Sequence, residues 1–179
     1  MKKTITICAS LFIFAAATAQ SQLKTDYYDA AKTKKKTEGY IMDPNFKLES
    51  LTMNDYVNRD GKWTEWFEDG KVMKEMQFTK GVMSGQWKSY FQNGKLDYDV
   101  NYDTHKAVFY FLDGEKLCAG DMYPGFKYEG KWTGWFKSGK VTYIGNYKMG
   151  KRHGDWTWYD EKSGAVLLQE KYDNQTLVK

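Results

Sequence analysis

Side chains able to do chemistry are few in this 179-residue chain. Two histidines, His105 and His153, and two cysteines, Cys8 and Cys118, are the whole stock of imidazoles and thiols. A cysteine nucleophile needs a neighbouring base, so His105 with Cys118 is the one pair that could be drawn. His105 lies in the turn-like stretch Tyr102-Asp103-Thr104-His105-Lys106, and His153 lies in a glycine-flanked segment that reads as a solvated turn. Lining up the internal copies described below sets Cys118 in one column with Met73, Asp97, Thr142 and Leu167, a mixed set without thiol chemistry. Two scattered histidines and a thiol do not make a zinc site, so no metal is expected. The glycines follow turns and form no phosphate-cradling loop, so no cofactor is expected either. Asp97 and Asp99 fall on one strand face about 7 Å apart, a separation that glycosidase carboxylates also use. Opposite Tyr98 and Val100, they read as a solvated face. The expectation is a protein that is not an enzyme.

What surrounds these residues is a repeat. Gly61 to Lys71 reads GKWTEWFEDGK, Gly85 to Lys95 reads GQWKSYFQNGK, and Gly130 to Lys140 reads GKWTGWFKSGK. A fourth copy, GDWTWYDEKSGA, starts at Gly154 with one extra residue before its turn glycine. A decayed copy, KAVFYFLDGEK, runs from Lys106 to Lys116. The turn glycines Gly70, Gly94, Gly114, Gly139 and Gly164 are spaced by 24, 20, 25 and 25 residues. Units this small cannot bury a core alone and must stack on one another.

Each copy has the grammar of a β-hairpin: an aromatic-rich strand, a polar-Gly turn and an alternating strand. The pairs Asp69-Gly70, Asn93-Gly94, Asp113-Gly114 and Ser138-Gly139 predict tight hairpin turns, which need positive φ. In Leu96-Asp97-Tyr98-Asp99-Val100-Asn101-Tyr102 every apolar residue lands on one face, the period of a half-buried strand. A second glycine pattern, Gly81-x-x-x-Gly85 and Gly150-x-x-x-Gly154, would reverse the chain between hairpins. Stacked copies make ladders. Trp63, Trp87, Trp132 and Trp156 form one, with Ala107 in the decayed copy, and Phe67, Phe91, Phe111 and Phe136 form a second on the same face. Trp66, Tyr90, Tyr110, Trp135 and Tyr159 form a third, offset by three residues and pointing the other way.

The ends read differently. Met1-Lys2-Lys3, the apolar run Ile5 to Ala17 and the small-x-small site Ala17-Thr18-Ala19 have the form of a secretory signal peptide, residues 1–19. Cys8 sits inside the apolar run, so lipid anchoring at a cysteine is not expected. Cleavage would leave 25 basic and 23 acidic residues, a net charge of +2, and Cys118 as a lone thiol without a disulfide. Near-neutral charge argues against nucleic acid as a partner. Only Lys32 to Lys36 approaches a basic stripe, and it reads as a solvated, partly disordered segment. Residues 20–39 are expected to be a linker, with Lys24 to Lys36 as the one plausible helix. Residues 40–179 are the expected repeat domain, with a degenerate cap at 40–60 built on Asp43-Pro44-Asn45 and Phe46 to Leu51. Repeats are expected near 61–84, 85–105, 106–129, 130–153 and 154–179. Leu167 to Tyr172 would be the last strand, its edge guarded by Lys171 and Asp173.

The pattern G-x-W-x-x-[YW]-[FY]-x-x-G-K, an alternating strand ending in an aromatic, then x-x-G-x-x-x-G, resembles the bacterial variant of the MORN repeat. The segment Lys148 to Trp156, KMGKRHGDW, is especially close. The resemblance covers about residues 56–172. It implies an all-β fold, an elongated, twisted antiparallel sheet of tandem β-hairpin repeats, that binds other proteins or sometimes membranes. Proteins with this repeat are often placed in the YwqK family of antitoxins. The signal peptide and the shortened third repeat depart from that pattern.

Two functions are weighed. The first is an exported, periplasmic or secreted, scaffold that binds a protein in the bacterial envelope, with an antitoxin or immunity-like role as one version. Its expected contact region is the decayed unit, where Phe109, Tyr110, Tyr123 and Phe126 gather aromatics of the kind enriched at interfaces. The second is glycan or cell-wall binding on the third ladder, with Trp66, Tyr90, Trp135 and Tyr159 as a stacking platform. A membrane-surface contact, and either a monomer or an edge-paired dimer, are compatible with both.

Overall fold

The alternation of large inward and polar outward residues carries through most of the chain, and the result is one antiparallel meander. The computed structural model describes residues 21–42, 53–123, 125 and 127–178. Its strands are β1 (Gln22–Tyr27), β2 (Lys35–Ile41), β3 (Arg59–Trp66), β4 (Val72–Thr79), β5 (Val82–Tyr90), β6 (Leu96–Asn101) and β7 (Lys106–Tyr110). They continue as β8 (Lys116–Tyr123), β9 (Lys127–Trp135), β10 (Val141–Lys148), β11 (Lys151–Tyr159), β12 (Val166–Asp173) and β13 (Thr176–Val178). Each pairs with its neighbours in sequence, giving one open 13-stranded sheet. A short 3-10 helix, Met53–Asn58, precedes β3. Among the described residues no helix is long and apolar enough to cross a membrane.

The two margins of the sheet turn by different means. Along one margin a Phe opens each turn. Phe67 donates its N–H to the Lys71 carbonyl at 2.8 Å and accepts from Gly70 N–H at 2.9 Å, and Phe91, Phe111 and Phe136 repeat this. Only the glycine of each pair has positive φ, 86° at Gly70 and 83° at Gly94. The expected tight turns are therefore longer loops, and the Phe ladder stands just outside the strands. Asp69 and Asn93 serve through their side chains, accepting from the N–H of Lys71 and Lys95 at 3.1 and 3.0 Å. Among the described residues, the two-residue turns with both residues at positive φ occur on the other margin, at Lys80-Gly81, Met149-Gly150 and Asn174-Gln175.

The inner face is filled by its own side chains. Trp63, Trp87, Trp132 and Trp156 are buried, and Ala107 takes the same place in the shortened β7. Each indole N–H donates to a backbone carbonyl of the preceding strand. Trp63 bonds Tyr40, Trp87 bonds Gln77, Trp132 bonds Asp121 and Trp156 bonds Asn146, at 2.8 to 3.1 Å. The glycine two residues before each Trp (Gly61, Gly85, Gly130, Gly154) has positive φ, between 56° and 69°, beside a register shift. That bulge turns the Trp onto the strand before it. Three of the four rings lie on a glycine, where a Cβ on Gly39, Gly120 or Gly145 would come within 2.2 to 2.4 Å of the ring. This explains G-x-W as a packing unit.

Two expectations about the N-terminal part change. Residues 20–39 are not a linker with a helix from Lys24 to Lys36, because β1 and β2 form a hairpin there. Thr37, Gly39 and Ile41 alternate inward, and Asp29 closes the turn by accepting from the N–H groups of Thr33 and Lys34. The lysine run is ordered and partnered: Lys34 reaches Glu68 at 3.1 Å, Lys35 reaches Glu38 at 2.7 Å, and Lys36 stands over Tyr28. The Asp43-Pro44-Asn45 turn and Phe46 to Leu51 of the expected cap lie outside the described residues, as does the signal-peptide segment.

Candidate interaction surface

The thiol is a packed core group. Cys118 is buried, and burial pushes its pKa up to about 11. Its column is Lys74, Tyr98, Tyr143 and Leu168, not Met73, Asp97, Thr142 and Leu167, because register pairs Cys118 and Tyr143 with Gly134, Tyr98 with Ser89 and Lys74 with Glu65. The expected column is off by one residue, and a one-residue slip moves a strand position to the other face. His105 stacks on Tyr123 at 4.2 Å, with Nδ1 buried and unpartnered. His153 is a strand residue of β11, opposite Asn146, with Nδ1 3.4 Å from Asp173. No group of three or more His, Cys, Asp or Glu side chains suited to a metal occurs among the described residues.

The aromatics expected at a partner site are not brought together. Phe109 faces inward and packs against Tyr98, Tyr128 and Trp132 at ring-centroid distances of 5.8, 6.0 and 6.0 Å. Tyr110 is on the outer face, Tyr123 is exposed at the far margin, and Phe126 lies outside the described residues. The third ladder stands on the outer face, as its offset required. Trp66, Tyr90, Trp135 and Tyr159 are all half-buried. With Tyr110 on β7 between Tyr90 and Trp135, the ladder occupies every second strand, so its neighbours are roughly 10 Å apart. The Tyr90 hydroxyl donates to Glu75 at 2.8 Å, and burial, then Glu75, pushes its pKa up to about 12. Lys35 Nζ stands 5.6 Å over the Trp66 ring. Tyr110 and Trp135 share a shallow depression with Gly114, Glu115, Lys116 and Gly139.

A feature missed at the sequence level runs beside that ladder. Register links one outer row across the sheet. Glu38, Thr64, Glu75, Lys88 and Asp99 form its first half. Val108, Ala119, Thr133, Ile144 and Thr157 form its second. The first half is charged except for Thr64 and paired with side chains beside the row: Lys62 meets Glu75 at 3.1 Å, and Gln86 donates to Asp99. The second half has no charge, and its residues are half-buried. With Tyr110, Trp135 and Tyr159 alongside, it is an uncharged strip on a face that no other described element covers. Numbering the copies from each Trp and each turn glycine would have found it, since its members sit one after the Trp position and five after the glycine.

The turn margin explains the G-K pair. Lys71 donates to the Gln92 carbonyl at 3.0 Å, Lys95 to that of Asp113, and Lys140 to those of Glu161 and Lys162 at 2.8 and 3.0 Å. Each lysine ties its turn to the next. In the decayed copy Glu115 stands there, and the tie runs backwards from Lys137 to Asp113 at 2.9 Å. These cations are committed to carbonyls and carboxylates of this chain.

No curated protein matches the chain. The family model of the MORN repeat variant matches three segments, residues 59–80, 83–104 and 128–149. Those segments are β3–β4, β5–β6 and β9–β10, three of the hairpins that carry the Trp-to-carbonyl bond. The chain is thus an all-β repeat scaffold built on hairpins similar to the MORN repeat variant.

Proposed function

We propose that this chain is an exported, non-enzymatic scaffold that binds another protein through the outer face of its C-terminal half. The observation that carries the reading is the change along one cross-strand row, from Glu75, Lys88 and Asp99 to Val108, Ala119 and Ile144. An uncharged strip flanked by Tyr and Trp has the composition of an interface core, depleted of charge and enriched in aromatics. Export rests on Lys2-Lys3, the apolar run and Ala17-Thr18-Ala19, and it places the partner in the periplasm or outside the cell. An immunity or antitoxin-like role is the finer version. The glycan reading, on Trp66, Tyr90, Trp135 and Tyr159, is weaker, because the four rings are half-buried, Lys35 already stands over Trp66 and Glu75 holds the Tyr90 hydroxyl. The thin stock of chemistry, with Cys118 buried, supports a role without catalysis.

The test is cross-linking in the native envelope with the chain and with Ile144→Lys, which extends the charged half into the uncharged strip. One partner captured by the chain and lost with Ile144→Lys, at unchanged melting temperature, is the expected result. Equal capture by both would remove the outer strip from the proposal. Recovery of wall fragments in place of a protein would favour the glycan reading.

A further inference from the structure

We propose that the open edge of β12 is a self-association site, where a second copy of this chain pairs antiparallel about a two-fold axis. The last hairpin carries the argument. The charges expected to guard this edge, Lys171 and Asp173, are already covered, because β13 pairs with them: Lys171 with Val178 and Asp173 with Thr176. Among the described residues, what remains open is Val166 to Glu170. Val166 is 53% exposed, Leu167 66% and Leu168 48%, and Leu177 and Val178 beside them are 49% and 44% exposed. Three consecutive apolar residues on an unprotected edge are the arrangement that folded sheets otherwise avoid. Leu168 stands in the column of Tyr98, Cys118 and Tyr143, each of which is covered by a following strand.

The open stretch also has a shape. Among the described residues it runs from the Lys171–Val178 pair to the turn closed by Asp160 N–H to the Ala165 carbonyl. Residues of an antiparallel strand bond alternately to left and right. Asp173 and Lys171 bond towards β13, so Gln169 presents its N–H and C=O to the same open side. Gln169, Glu170 and Lys171 line a depression with Leu177 and Val178.

A second β12 fits this window because it brings the same five residues. Centred on Leu168, the pairing sets Leu168 against its own counterpart, Leu167 against that of Gln169, and Val166 against that of Glu170. The contact is isologous and closes at a dimer. The other end of the sheet is unlike it: β1 carries Lys24 and Asp26, and a β1-to-β12 contact would propagate as an open filament. The inference rests on the edge alone and is independent of the outer-face reading.

Sedimentation equilibrium of the full chain tests it, beside Leu168→Lys and Leu168→Cys, the latter with Cys8→Ser. The expected result is a dimer that Leu168→Lys weakens at least about tenfold, with circular dichroism unchanged. Leu168→Cys should oxidise to a covalent dimer, since facing residues of such a pair lie within disulfide reach. A monomer at every concentration, a dimer indifferent to Leu168→Lys, or mass growing beyond the dimer would each overturn the proposal. The last would assign the edge to β1.

Discussion

The two halves of the sheet meet the same packing problem with different chemistry. Around β3, position four before the Trp is Arg59, fully buried, stacked 4.2 Å from Trp63 and 3.3 Å from Glu65 across one hydrogen bond. Around β9 the same positions are Tyr128, stacked on Trp132 at 4.2 Å, and Gly134, where the Tyr143 ring lies. The N-terminal half thus buries an ion pair inside and keeps charges outside. The C-terminal half is mostly aromatic inside, its counterpart of Arg59 being the half-buried Arg152 4.8 Å over Trp156, and its outer row is uncharged. What all four Trp-bearing copies share is the indole-to-carbonyl bond and the bulge before it. The lesson is that this hairpin is specified by a few contacts, which leaves its outer face free to diverge without loss of fold.

The sharpest way to break that comparison is Glu65→Ala. It leaves the Arg59 guanidinium buried without the one carboxylate it meets among the described residues, and removes the Lys74 contact at 3.7 Å as well; the expected cost is about 3–5 kcal/mol. Installing the next copy's residues at both places, Arg59→Met with Glu65→Ser, should recover most of it, since buried ion pairs are often replaced by apolar groups without loss. Urea midpoints of the single and double variants check this. A single variant as stable as the parent would mean that the pair is not buried as described.

The glycine seats sharpen the same contrast. The column that holds Gly145 under Trp156 holds Met76 beside Trp87. Gly145→Ala should cost about 1–3 kcal/mol by overpacking, because its Cβ would meet the ring at 2.2 Å. Met76→Gly should be destabilising for the opposite reason, a cavity. Thermal melts of both decide whether one column has two size requirements.

The smallest effect concerns pH. Burial raises the Cys118 thiol to about 11, so the folded state holds its proton more tightly than the unfolded chain. Its contribution is complete below the unfolded value near 9 and is lost as pH rises through about 11. Tyr102, raised by burial to about 12, acts in the same direction further up. Cys118→Ala should flatten the fall in melting temperature between pH 9 and 11 without abolishing it. An unchanged slope would place the thiol in contact with water. Slow alkylation of Cys118 in the native chain is the companion readout.

Sequence alone determined the repeat, because turn glycines and aromatic positions recur at a period that local propensity can register. It carried the all-β meander and the opposite facing of the Trp column and the third ladder, both consequences of strand parity, while the structure decided that the Trp column is the buried one. Tertiary structure decided the rest. Which face Cys118 occupies depended on register shifts at the bulges, and each shift can invert parity. Phe109, on the face of Ala107, closed against Tyr98, Tyr128 and Trp132 from other strands, so it was not available to a partner. The β1–β2 hairpin was hidden under lysines, of which Lys34 finds its partner, Glu68, on a distant turn. The uncharged outer row is assembled from five strands, one residue from each, so no stretch of sequence displays it.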